Sequence, residues 1–77
     1  MDDWKERLKA EYKELKERLD KLHKWNVKQE VTLRVQPHRI EKIEDDQNRH
    51  LCREQEETMT RYLNILELRA EIYGIEP

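Results

Sequence analysis

Apolar residues recur along the first third of the chain at helical spacing. Leu8, Tyr12, Leu15, Leu19 and Leu22 follow one another in steps of four and three, the heptad seam by which one helix packs along another. Glu14–Arg18, Glu17–Lys21 and Asp20–Lys24 stand four apart with the acid first, an order that supports a helix by about 0.2–0.5 kcal/mol per pair. Asp2 and Asp3 supply capping groups and negative charge where the helix starts. Trp4 and Trp25 share one register position beside the seam and are expected to pack at the two ends of a hairpin. The pattern predicts a helix over about 3–25.

The next two seam positions hold Asn26 and Gln29, where the apolar stripe stops. Val31, Leu33 and Val35 then alternate with Thr32, Arg34 and Gln36, a β-branched run of period two that predicts a short extended or strand-like segment. A single strand leaves its ladder unsatisfied, and the chain has no second one. Pairing with another copy, an extended loop and a strained continuation of the helix are all open to it. Pro37 ends the run.

A second helix is predicted over about 45–73, with Asp45 and Asp46 as caps and Gly74 as the stop. One row on it runs Cys52, Gln55, Met59, Tyr62, Leu66, Arg69 and Tyr73; a neighbouring row holds Leu51, Thr58, Ile65 and Ile72. With Leu63, Leu68, Ala70 and Ile75 added, the apolar surface exceeds what one partner helix covers. The expected fold is all-α: one domain over 1–77, an antiparallel helical hairpin with a short extended or strand-like connection over 26–44. It assembles into a symmetric homo-oligomer, with Leu51, Met59, Leu63, Ile65, Leu66 and Ile72 at the interface.

Composition strengthens the case for self-association. The chain has 77 residues, of which 34 are charged, with one glycine and no phenylalanine. A core this small seldom outweighs chain entropy without disulfides, metal or partner chains, and Cys52 is the only cysteine. The net charge is −2, which lacks the basic footprint of non-specific nucleic-acid binding. Residues 1–25 carry +1, residues 26–43 +2 and residues 44–77 −5, a distribution that suits the two halves lying against each other. No apolar run resembles a signal peptide or approaches the ~20 residues of a membrane span, so a soluble, intracellular protein is expected.

Little here resembles catalytic chemistry. There is no serine, and one glycine cannot build a phosphate loop. Asp46, His50 and Glu54 share a helical face near Cys52, but a zinc site draws on a second spacing motif that the chain lacks. They are surface charges beside a half-buried thiol. The chain is expected to be a non-enzyme with no cofactor and no metal. Polar residues in the helix 2 row carry more information. Gln55 fixes register and Arg69 snorkels or pairs with an acid in the simpler account. In the functional account Arg69, with Tyr62 or Tyr73, faces a pocket between subunits, where guanidinium grips phosphate and tyrosine stacks on a base. Arg34, His38, Arg39 and Lys42 make the middle segment locally basic, either as a solvated face or as a phosphate-binding loop.

The opening Trp4-Lys5-Glu6-Arg7-Leu8-Lys9-Ala10-Glu11-Tyr12-Lys13-Glu14-Leu15, continuing to Leu22, resembles the first helix of small helical-hairpin proteins of tailed phages and prophages. Gln55-Glu56-Glu57-Thr58-Met59-Thr60-Arg61-Tyr62-Leu63-Asn64-Ile65-Leu66-Glu67-Leu68-Arg69 is similar to their second helix. In architecture these hairpins are similar to the anti-CBASS and anti-Thoeris sponge proteins, symmetric oligomers that sequester cyclic nucleotide signals without cleaving them. The resemblance implies a phage-encoded binding protein in the cytoplasm of an infected bacterium. Its partners would be itself and a cyclic oligonucleotide or ADP-ribose-type signal. The alternative is a protein–protein module, an inhibitor of a host effector or a phage assembly adaptor. Neither membrane nor nucleic acid is an expected partner.

Overall fold

The computed structural model describes residues 3–36, 38 and 42–76. Two long helices, α1 (Asp3–Val35) and α2 (Ile43–Ile72), lie antiparallel in a rod of 54 × 19 × 15 Å. There is no strand among the described residues. The α1 seam holds: Leu8 is buried, and Tyr12, Leu15, Leu19 and Leu22 are half-buried at the predicted spacing.

The strand-like expectation for Val31–Val35 is corrected, because α1 continues through it. The heptad does not end at Asn26. That residue is buried, Gln29 and Leu33 behind it are half-buried, and the row keeps its steps of four and three. Val31 and Val35 do not share an inner face with Leu33; they are 54% and 69% exposed. The β-branched residues lower helix propensity by only a few tenths of a kcal/mol each. A lone strand would leave its backbone groups unpaired, whereas the helix satisfies them and aims Asn26 and Glu30 at α2. Thr32 Oγ1 donates to Lys28 O (2.9 Å), and Gln36 N to Thr32 O (2.7 Å).

Helix α2 begins at Ile43, two residues before the predicted caps, with Lys42 at the N-cap position and no side-chain cap. Asp46 accepts from Arg49 Nη2 (3.0 Å) instead of capping. With Glu44 and Asp45 it places negative charge in the first turn, where the helix dipole favours it. The other end stops at Gly74 as predicted. Ile75 N donates to Ala70 O (2.8 Å) and Gly74 N to Glu71 O (3.2 Å), with Gly74 at φ 65°, the double bond pattern that closes a helix through a left-handed glycine. Ile75 then folds back onto the core.

The helix 2 row holds at Cys52, Met59 and Leu66 and is corrected by one residue at its alternate positions. The inner positions are Arg49, Cys52, Glu56, Met59, Leu63, Leu66 and Ala70, all buried or half-buried, while Gln55, Tyr62 and Arg69 are exposed. Packing Leu63 and Ala70 inward spares the cost of desolvating the Arg69 guanidinium. Leu66, expected at an oligomer interface, is fully enclosed within the hairpin at 0% exposure. The core is Leu8, Leu66 and Ala70, with Trp4, Tyr12, Leu15 and Ile75 packed against it. It occupies the end of the rod that holds the two termini.

Candidate functional site at the terminal end

The antiparallel register brings the start of α1 to the end of α2. Trp4 and Tyr73 meet edge to face, ring centroids 4.8 Å apart at 76°, the geometry favoured by aromatic quadrupoles. Beside them a cavity of about 220 Å³ is lined by Trp4, Arg7, Leu8, Glu11 and Arg69. Among the described residues neither Arg7 nor Arg69 has a side-chain hydrogen bond or ion-pair partner within the chain. Two available guanidiniums next to a pair of aromatic rings can take an anion and stack a planar group.

A larger groove of about 340 Å³ lies towards the connection, lined by His23, Asn26, Val27, Glu30, Arg34, Arg53, Glu56 and Glu57. Its polar groups are largely engaged with one another. Asn26 Nδ2 donates to Cys52 O (3.2 Å) and Glu56 Oε1 (2.8 Å), and His23 Nδ1 lies 2.8 Å from Glu56 Oε2. The Asn26 hydrogen bond, then that of His23, holds the Glu56 carboxyl below its usual range, and burial opposes them only in part. Glu30 accepts from Arg34 Nη2 (3.2 Å) and Arg53 Nη1 (3.2 Å), and Arg49 Nη1 approaches it to 4.0 Å. Among the described residues, Asn26 Oδ1 and Arg49 Nε are buried without a partner. The groove is the polar half of the helix seam, and three carboxylates line it. Bulk charge did not foretell these contacts: an acid on the basic helix meets two arginines on the acidic one.

Five of the six predicted ligand residues lie among the described ones, and they are spread along the rod. Arg69 lines the terminal pocket, Tyr73 contacts Trp4, and Tyr62 is exposed one heptad before Arg69. Arg34 is at the far end and already paired with Glu30. His38 is exposed in the connection, and Arg39 lies outside the described residues. Of the expected interface set, Leu51, Ile65 and Ile72 are exposed, and Met59 and Leu63 are half-buried on the inner row. Trp4 and Arg7 were not recognised as site residues, although a hairpin closing at Gly74 has to bring residue 4 near residue 73.

The Sequestin family model matches residues 2–72. The chain belongs to the Sequestin family. The match spans both segments that resemble phage hairpin proteins, and the family's name denotes sequestration. No curated protein and no solved structure matches the chain. In this Sequestin hairpin no described helix is long and apolar enough to cross a membrane.

Proposed function

We propose that this Sequestin hairpin is a non-enzymatic, phage-encoded binding protein that counters host antiviral defence. It does so by sequestering a cyclic nucleotide signal, of the cyclic oligonucleotide or ADP-ribose type, at the subunit interfaces of a homo-oligomer. The observation that carries the reading is the terminal pocket: the guanidiniums of Arg7 and Arg69, without a side-chain partner among the described residues, share it with Glu11 beside the Trp4–Tyr73 ring pair. Phosphate asks for the first pair, a purine face for the second. Family membership supports sequestration as the mode of action.

Calorimetry against cyclic di- and trinucleotides and cyclic ADP-ribose isomers tests it. A charged hydrogen bond contributes roughly 1.5–3 kcal/mol, so Arg69→Ala should weaken binding by about ten- to a hundredfold. Absence of both heat and thermal stabilisation across the panel would rule the reading out. A second reading is supported by the exposed apolar residues of α2: a protein–protein module acting on a host effector or as an assembly adaptor. It requires a stoichiometric protein partner in a pull-down from host lysate.

A further inference from the structure

The α2 residues left outside the hairpin seam form a second, complete heptad row. Leu51, Gln55, Thr58, Tyr62, Ile65, Arg69 and Ile72 follow at steps of four and three, and every one is exposed. The row runs about 30 Å along the helix, one residue out of phase with the row that packs on α1. Arg69 belongs to it and lines the terminal pocket together with Trp4 of α1. Trp25 shares the register of Trp4, so both tryptophans flank the row. The other side of the hairpin carries the polar groove of His23, Glu30, Arg34 and Glu56. The α2 row is therefore an apolar stripe on one broad face of the ribbon, beside an α1 edge that carries Glu11 and Arg18 between its two tryptophans, and the other broad face holds the polar groove.

We propose that the apolar face is covered by a second copy of this chain, with α2 antiparallel to the partner's α2, giving a four-helix bundle. The inference rests on the homo-oligomer of the proposed function but not on its ligand.

Area is the first argument. Trp25, Leu51, Tyr62, Ile65, Ile72 and Tyr73 are 37%, 60%, 39%, 51%, 76% and 57% exposed. With about 150–250 Å² per large side chain, they present on the order of 600 Å². That exceeds the few hundred Å² a monomer commonly leaves open and approaches the roughly 800 Å² each partner buries in a stable complex.

Charge selects the orientation. Glu54 and Arg69 lie at equal distances from the midpoint of the Leu51–Ile72 row and are both exposed. An antiparallel pair sets Glu54 against the partner's Arg69 twice, whereas a parallel pair sets like charge on like. Arg61, beside the midpoint, meets the partner's Tyr62 in the antiparallel arrangement and its own copy in the parallel one. Antiparallel pairing also sets Leu51 by the partner's Ile72 and Thr58 by the partner's Ile65. The partner's Leu51–Glu54 turn then rests at the mouth of the terminal pocket, where the partner's Glu54 occupies Arg69 in the ligand-free dimer and a ligand phosphate has to displace it.

Analytical ultracentrifugation of ligand-free full-length protein at tens of micromolar tests the pairing. The expected mass is twice the 9.6 kDa of one chain. Ile65→Glu should give a single-chain mass with unchanged far-UV circular dichroism. Thr58→Lys, at a small polar position of the same row, should do the same and serves if the first variant unfolds. Arg69→Glu and Glu54→Arg should each raise the dimer dissociation constant about tenfold, and the double exchange should return it to within about threefold. A single-chain mass for the unaltered protein, or a dimer indifferent to both row variants, would overturn the proposal. So would a double exchange weaker than either single one, or a stoichiometric foreign protein co-purifying in place of the second copy. All these readouts are independent of nucleotide binding, so the pairing and the sequestration reading fail separately.

Discussion

Leu66→Ala and Ile65→Ala remove similar apolar mass from adjacent positions, and the structure assigns them different consequences. Leu66 is fully enclosed among Leu8, Ala70 and their neighbours, while Ile65 is 51% exposed. Truncating Leu66 removes three buried carbons at about 0.8 kcal/mol each. A residual cavity raises the loss towards the usual range of roughly 2–5 kcal/mol. We expect about 2.5–4 kcal/mol, a large share of the total stability available to a domain this small. Ile65 is already half in water, so its truncation should lower the stability of the isolated hairpin by less than about 1 kcal/mol. Chemical denaturation followed by far-UV circular dichroism measures both, and a dilution series separates hairpin stability from any loss of self-association. An Ile65→Ala loss equal to or above that of Leu66→Ala at the dilute limit would place the hairpin seam on the wrong row. Every conclusion drawn from the exposed face would then fall with it.

Three further outcomes follow from other parts of the molecule. Because hydrogen bonds from Asn26 and His23 lower the Glu56 pKa, the folded state binds fewer protons there than the unfolded one. The stabilisation is complete above the ordinary glutamate value, about 4.3, and is lost as pH falls through the lowered one; Glu56→Gln should flatten the acid limb of a melting-temperature profile. Val31→Pro places an imino ring in the last turns of α1, where an interior proline costs about 3 kcal/mol and fraying limits the loss to about 1–3. Hydrogen exchange should show lost protection over 27–36, and unchanged protection would contradict the helical assignment there. Gly74→Ala adds a Cβ that meets nothing within 4 Å, so its cost is the left-handed backbone alone, about 1 kcal/mol by thermal melting; a neutral result would remove the glycine closure from the account.

Much of this fold was legible in local patterns. The α1 heptad, the stop at Gly74 and the excess of apolar residues on α2 follow from spacing and from backbone restrictions that act within a few residues. The extension of α1 through Val35 was not legible in the same way. Its β-branched alternation favours a strand locally, and the helix gains its advantage from a satisfied backbone together with the contacts of Asn26 and Glu30 with α2. The candidate site divided along the same line. Arg69 and Tyr73 stood out by residue type and position, but Trp4 and Arg7 join them only when the chain ends are brought together. Arg34, equally basic in the sequence, is already held by Glu30 at the other end of the rod.

The sequence by itself determined that there are two long amphipathic helices and that α2 carries more apolar surface than one partner covers. Tertiary structure decided which of two rows, one residue apart, faces inward. Both rows have heptad spacing and similar apolar content, so periodicity cannot choose between them. The choice rests on what each row would bury against α1. One row encloses Leu63 and Ala70 at the terminal end and leaves Arg69 in water, and the one guanidinium it does bury, that of Arg49, meets Asp46 and Glu30.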